Sequence, residues 1–313
     1  MMTEGNLQVS PGPHLWHGLS VNKIMYIVVI ALLSPTGAAI YFFGYHALSV
    51  IVTSIIFAVL TEFLVKKMRG KPFIMDGSAV ITGLILALTL PPTISLWMVA
   101  LGSIFSIAIV KEAFGGLGHN IFNPALGGRA FLTASFGVEM TTWTAPAGFA
   151  ADAVTTATPL SKSIVWQGGH MALFWGNHAG SLGETSAIAI IIGAIILISL
   201  RIIDWRIPAV YVGTVAILSL IIGKDPVLYV LSGGLLLGAV YMATDYVTSP
   251  ITHKGRIIFG AGCGIVTIVI RALGGLPEGV CYSILLMNAA TPLIDRYTRT
   301  RPFGLVKIAK SKT

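Results

Sequence analysis

Seven consecutive residues, Asp152-Ala-Val-Thr-Thr-Ala-Thr158, set three hydroxyls and one carboxylate in a row, with Pro159 directly behind them. By residue type alone this is an ordinary polar loop. Its position singles it out, because it lies in the longest polar interval of a chain that is otherwise apolar. Other groups able to do chemistry sit inside or at the ends of apolar runs. Arg129, in Asn123-Pro-Ala-Leu-Gly-Gly-Arg129, carries several donors in one rigid fork. Such a fork can hold an anionic or carbonyl-rich ligand, or pair with an acid of another segment, and both readings are open. Asn123 adds a fixed amide beside the helix-bending Pro124.

The acids fall at segment ends. Asp76 precedes Gly77-Ser78 in an N-cap pattern. Glu112 follows Lys111, Glu184 stands where it can cap the next apolar run, Asp245 closes Thr244-Asp-Tyr-Val-Thr-Ser-Pro250, and Asp295 adjoins Arg296. Each can be a cap or a surface pair. As a set, acids at the ends of broken helices can also form a cation route, because charge at membrane depth is costly and usually functional or paired.

What must position these groups follows from composition. Of 313 residues, 55% are hydrophobic and only 10% are charged, and the mean hydropathy is +0.86. Globular domains carry about 25% charged residues. An integral membrane protein is implied, and the long, non-alternating apolar runs select helices over a barrel. Ten spans are expected, at 24–43, 46–65, 78–91, 96–113, 121–137, 186–200, 208–222, 227–243, 257–271 and 277–293. The polar first 20 residues do not resemble a cleavable signal, so the first span is expected to direct insertion. With both termini in the cytoplasm, 16 of the 20 Lys and Arg fall on that side and three on the other, as the positive-inside rule requires. The net charge of +8 is thereby explained without nucleic acid. The same topology puts the threonine loop outside the cytoplasm.

The expected organisation is a cytoplasmic segment 1–23, a first five-helix repeat 24–137, an extracytoplasmic loop 138–185, a second five-helix repeat 186–295 and a basic cytoplasmic tail 296–313. Phe114-Gly-Gly-Leu-Gly118 leads into span five and Leu273-Gly-Gly-Leu-Pro277 into span ten. Five spans per half is an odd number, so the halves insert in opposite orientations, the inverted-repeat plan with sites at interrupted helices near the midplane. Gly83, Gly102, Gly127, Gly128, Gly233, Gly234 and Gly238 suit close helix packing or the approach of a flat ring. Trp97 and Trp205 read as interfacial belt residues, whereas Trp143, Trp166 and Trp175 fall in the outer loop and can stack on a ligand or dock that loop on the membrane. Cys263 and Cys281 read as buried thiols. No motif for nucleotide binding or soluble-type hydrolysis is present.

These motifs together carry a resemblance. Phe73-Ile-Met-Asp-Gly-Ser78, Thr82-Gly-Leu-Ile-Leu-Ala-Leu-Thr-Leu-Pro-Pro92, Lys111-Glu-Ala-Phe-Gly-Gly-Leu-Gly-His-Asn120, Asn123-Pro-Ala-Leu-Gly-Gly-Arg-Ala-Phe-Leu132, Gly180-Ser-Leu-Gly-Glu184 and Met242-Ala-Thr-Asp245 resemble the NqrB/RnfD family in the same order. That family comprises the B subunit of the sodium-translocating NADH:quinone reductase and the D subunit of the Rnf complex. The ending Ala289-Ala-Thr-Pro-Leu-Ile-Asp-Arg-Tyr-Thr298 looks more like the Rnf branch.

The resemblance implies a redox subunit of a complex that moves electrons between ferredoxin and NAD and couples them to Na+ or H+ transport. It implies FMN joined through its phosphate to a threonine in a motif close to Asp-x-x-Ser-Gly-Ala-Thr. The match makes Thr158 the attachment point, with Asp152, Thr155 and Thr156 in the motif and Arg129 and Asn123 as further cofactor contacts. Thr155 stands for the family's Ser and keeps the hydroxyl, whereas Thr156 stands for Gly and narrows the backbone. A second, non-covalent flavin, riboflavin, is implied within the membrane part. Expected partners are the iron–sulfur, NADH-binding and second FMN-bearing subunits, a separate flavin transferase, and lipid. The competing reading is a solute channel or permease of inverted-repeat type without redox function.

Overall fold

The computed structural model describes residues 20–146, 158–160, 168–274 and 279–299. Among them the secondary structure is helical, with no β-strand. Ser20 caps the first helix, α1 (Val21–Met68), by accepting from the Lys23 N–H at 3.3 Å. Gly44, at φ 68 and ψ −150, interrupts it. Met25 and Glu62 both reach the start of α2 (Ser78–Thr89): Met25 lies against Gly77, and Glu62 and Ser78 share the Lys111 ammonium. The chain therefore turns back at Gly44, and α1 is a hairpin whose arms correspond to the expected segments 24–43 and 46–65.

Asp76 accepts from the Ser78 N–H at 2.8 Å, while Gly77, in a left-handed conformation, stands at the N-cap of α2. Pro91 and Pro92 end α2, since neither can extend a helical hydrogen-bond ladder. α3 (Leu96–Phe105) runs on as a π-helical segment, π1 (Ser106–Glu112). α4 (Pro124–Ser135) has Pro at its first turn and Asn123 as its cap, followed by the short α5 (Gly137–Met140) and α6 (Gly169–Trp175). The second half contains α7 (Ala187–Ser199), α8 (Arg206–Ile221), α9 (Pro226–Leu231), α10 (Leu235–Leu237), π2 (Gly238–Met242), α11 (His253–Leu273) and α12 (Val280–Thr298). Within the span expected at 227–243, Gly233 and Gly234 both take positive φ and separate α9 from α10, which continues directly into π2.

Among the described residues, two helices, Val21–Met68 and His253–Leu273, are long and apolar enough to cross a membrane. Large apolar side chains such as Ile56, Leu60, Ile195, Leu220 and Ile265 are exposed on the outward faces. Trp97 and Trp205 are also exposed, as belt residues would be, while Trp143 is buried. Both thiols are free and buried. Residues 178–187, at the end of the segment expected as the 138–185 loop and the start of the next span, are buried without a break.

Small residues set the packing. A Cβ on Gly83 would lie 2.9 Å from the Ile55 Cα of α1, and one on Gly264 would lie 2.6 Å from Thr214 of α8. The halves are joined by polar bonds: Tyr241 Oη donates to Ala31 O (3.0 Å), Ser34 Oγ to Ala189 O (2.8 Å) and Asn123 Nδ2 to Met242 O (3.3 Å). Asn288, with its amide nitrogen towards Ile284 O, accepts from the Asn123 N–H at 3.1 Å.

Where α8 and α11 begin, Asp204 clamps three segments. Its Oδ2 accepts from Arg256 Nη1 (2.7 Å) and Arg206 Nη1 (3.0 Å), and its Oδ1 from the Arg206 N–H. Burial by itself would raise its pKa, but these donors outweigh it and bring the carboxyl from 3.8 to about 2. A folded-state value below the unfolded one gives stability that is present above the unfolded value and lost as pH falls through the folded one. Asp204→Asn should thus lose stability at neutral pH and show a flatter decline in unfolding temperature between pH 4 and pH 2 than the wild type; parallel declines would refute the clamp. Gly83→Ala should lower stability by about 1–3 kcal/mol through overpacking against α1 backbone. Gly37→Ala, which meets open space, is the matched control, and equal melting shifts would count against tight α1–α2 contact.

Candidate functional site

At one end of the bundle, three interrupted elements meet around segment 180–184. α2 stops at Thr89 and leaves carbonyls that have no helical partner. Leu182 N–H donates to Leu90 O (3.1 Å) and Gly183 N–H to Leu88 O (2.7 Å), while the Arg129 guanidinium donates to Thr89 O. Gly183 is required there, since a Cβ would lie 2.6 Å from Leu88 Cβ. Glu184 does not cap α7, which is capped by Ser186. Its carboxylate instead accepts from the Ser181 N–H (3.2 Å), the Ser181 hydroxyl (3.1 Å) and the Gly233 N–H.

The α9–α10 break lies directly beyond Gly233. Arg271, on α11, donates to Tyr229 O (2.5 Å), Ser232 O (3.0 Å) and Gly233 O (3.3 Å) and lies over the Tyr229 ring at 5.6 Å. Leu160 packs against Gly233 on the same side as the Arg271 Nη2. Thr158, two residues earlier, is buried at 7% exposure, as is Pro159. Two residues after the final threonine of the loop, the Leu160 side chain thus meets the helix break that the Arg271 guanidinium holds. Asp152, Thr155 and Thr156 lie outside the described residues.

At the opposite end of α2, charges gather. Lys111, only 2% exposed, donates to Glu62 Oε1 (3.0 Å) and to Ser78 Oγ (2.6 Å), and Ser78 Oγ donates to Asp76 Oδ1 (2.5 Å). Lys66 also pairs with Glu62 at 2.8 Å. Glu112 is buried beside Arg69 (3.6 Å), and its Oε1 has no hydrogen-bond partner among the described residues. The π-turn places Lys111 and Glu112 inward together; such turns recur where function needs a displaced side chain.

A cavity of about 110 Å³ opens from this cluster between the halves, lined by Ser78, Lys111, Asn120, Asn123, Tyr241 and Asp245 among others. Asp245 accepts from Thr248 Oγ1 at 3.2 Å. Asp76, Lys111, Asn123 and Asp245 are therefore brought to one locality. Glu184 sits instead with the helix breaks, and Asp295 stands apart, accepting from the Ile251 N–H at 3.1 Å. Asn123 serves as the α4 cap, accepting from the Ala125 and Leu126 N–H groups.

Sequence reasoning passes over Glu62, Lys111 and Arg271. Each lies near the end of an apolar segment, where charge reads as membrane flank. The signal available was their depth: Lys111 and Arg271 fall within the expected spans 96–113 and 257–271. Arg271→Leu leaves three buried carbonyls without their donor and should cost about 3 kcal/mol or more, with Arg271→Lys intermediate. Unfolding temperatures of the purified variants check this, and an unchanged Arg271→Leu midpoint would show that the α9–α10 break does not depend on the guanidinium.

A model of the NQR2, RnfD, RnfE family matches residues 8–304. The chain is 50% identical to the D subunit of the proton-translocating ferredoxin:NAD+ oxidoreductase complex of Clostridium ljungdahlii, covering 95% of this chain and 96% of that protein. It is 48% identical to the D subunit of the Na+-translocating ferredoxin:NAD+ oxidoreductase complex of Acetobacterium woodii, over 99% of both. A 38% match to the D subunit of the ion-translocating oxidoreductase complex of Methanosarcina acetivorans covers 95% of this chain and 96% of that one.

Proposed function

Because the chain belongs to the NQR2, RnfD, RnfE family, we propose that it is the D subunit of an ion-translocating ferredoxin:NAD+ oxidoreductase complex, carrying electrons through an FMN esterified to Thr158. Near-full coverage of relatives with that name supports the subunit assignment. The observation that supports the cofactor reading is the burial of Thr158 two residues before Leu160, whose side chain lies beside Gly233 and the Arg271 guanidinium.

Those residues fit the group. A phosphoester at Thr158 Oγ1 keeps the cofactor from dissociating on the outer face of the membrane. Arg271, whose guanidinium lies beside Leu160, supplies a cationic group near the loop, of a kind suited to phosphate oxygens or flavin carbonyls. Arg129 and Asn123 hold neighbouring segments, the first at the α2 end and the second at the seam. A bound flavin supplies one- and two-electron chemistry, while the protein sets its position and electrostatics. Nothing in the chain resembles a nucleotidyl-transfer site, so a separate flavin transferase makes the bond. The partner subunits hold the iron–sulfur centres, the NADH site and the second FMN.

The same reading takes the chain as ten spans in two inverted five-helix repeats of a prokaryotic cell membrane, with cytoplasmic termini and the 138–185 loop outside. Interrupted α9–α10 and the Asn123–Met242 and Asn123–Asn288 bonds at the seam are features of that plan. Asp76, Glu112 and Asp245 border the cavity end of a Na+ or H+ route, with Glu184 and Asp295 near its outer and inner limits.

Denatured protein should fluoresce in a gel under ultraviolet light and carry an FMN-sized mass addition, and Thr158→Ala should lose both completely. A fluorescent Thr158→Ala band moves the bond to another hydroxyl, Thr155 or Thr156 first. A colourless wild-type chain that conducts solute without partner subunits would establish the permease reading instead.

A further inference from the structure

Where α7 ends and α8 and α11 begin, the surface holds a recess of about 410 Å³, which shares the wall formed by Ile202, Ile203, Thr244 and Tyr246 with the cavity between the halves. Its lining includes Arg201, Arg206 and Arg256 against the single acid Asp204, a net charge of two positive (three minus one). Asp204 occupies the Nη1 of Arg206 and of Arg256, and His253 Nδ1 also meets Arg206 Nη1. Their Nη2 groups and the whole Arg201 guanidinium have no hydrogen-bond or ion-pair partner among the described residues.

Arg201 is the one non-glycine residue with positive φ, 55°, among those described. It closes α7, with its own N–H on Ile198 O (3.0 Å) and the Ile202 N–H on Leu197 O (2.9 Å). This left-handed position at a helix end normally falls to glycine. An arginine held there puts its head group at the mouth of the recess despite an unfavourable backbone.

The surroundings are apolar. Ile198, Leu200, Trp205, Ile257 and Ile258 are all exposed beside the recess, and the Arg206 guanidinium lies 5.8 Å from the Trp205 ring. Cationic donors at the border of an outward apolar face fit an amphipathic anion, with the charged end in the recess and the chains along the helices. The positive-inside reading puts residues 201–206 and 254–256 on the cytoplasmic side, the leaflet surface where basic clusters meet anionic lipid.

We propose that this recess binds the phosphate of an anionic phospholipid, held by Arg201, Arg206 and Arg256, with its acyl chains against Ile198, Leu200, Trp205 and Ile257. The proposal rests on the membrane reading and is independent of the flavin at Thr158. A soluble phosphate ester shares the phosphate chemistry but would make no use of the apolar border.

The test uses the purified complex in detergent with photoactivatable phosphatidylglycerol or phosphatidylcholine, and peptide mapping of the label. Phosphatidylglycerol should label 198–207 and 244–258, and phosphatidylcholine should not. Arg201→Gly removes the head group while relieving the backbone, so it should lower labelling about tenfold, the loss of one charge-assisted contact, without lowering the unfolding temperature. Arg201→Lys should restore part of the labelling. Equal labelling by the two lipids, or labelling unchanged in Arg201→Gly, overturns the site. Displacement of the lipid by inorganic phosphate, but not by chloride at equal ionic strength, overturns the lipid assignment in favour of a soluble anion. Because in-gel flavin fluorescence reads Thr158 separately, failure here and failure of the flavin reading are distinguishable.

Discussion

A backbone carbonyl that lacks a helical partner inside an apolar bundle has no water to turn to, and each one left unmade costs about 1–3 kcal/mol. This constraint governs the architecture around residues 180–184. α2 is stopped by two prolines and α9 by Ser232-Gly233-Gly234, so two sets of carbonyls and N–H groups are stranded at the same end of the bundle. The chain solves both with one buried segment and two arginines. Leu182 and Gly183 serve the α2 end, Glu184 receives the Gly233 N–H, and Arg129 and Arg271 each hold carbonyls of a broken element. The buried segment that begins at Thr158 reaches the second of these breaks through Leu160, which lies beside Gly233 and Arg271.

The opposite end of α2 meets a different constraint. A fully buried ammonium is tolerated only when it is paired and hydrogen-bonded. Lys111 is given a carboxylate, Glu62, and a hydroxyl, Ser78, which is in turn held by Asp76. The π-turn at Ser106–Glu112 shifts the helical register so that two consecutive charged residues point inward rather than one inward and one out. With Asp245 across the cavity, a polar compartment forms between the halves of the chain. The seam that closes it is made by Asn123, which caps α4 with its oxygen, reaches Met242 with its nitrogen and is gripped through its backbone by Asn288.

The two polar centres therefore lie at opposite ends of the same short helix, α2, and share its rigidity. Gly83 sits midway along it, packed so closely on α1 that the helix has little room to tilt. An electron carrier needs fixed distances to its partners, and a helix clamped at both ends and along its face supplies them. The recess at Arg201 belongs to a third locality, at the α7–α8 turn, and uses charge outside the packed core.

Much of this was legible in the residues. Composition fixed a helical membrane protein because 55% hydrophobic residues cannot all be buried in a chain with 10% charge. Prolines and paired glycines marked the broken elements, and Gly83 and Gly128 read as close contacts, since each of these is a local rule of backbone geometry. Family motifs singled out Thr158. What the sequence could not contain was which distant groups would satisfy each stranded one. Glu184 reads as a cap of α7 by proximity, yet it serves Gly233, 49 residues away, because Ser186 already caps that helix. Lys111 and Arg271 read as flank charges until packing buries them. The segment at 178–187 reads as loop, and only the bundle, with two helix ends to satisfy, draws it inside. The threonine at 158 was named by its neighbours in the chain, but its burial, two residues before Leu160 meets Gly233 and Arg271, was decided by where a helix breaks.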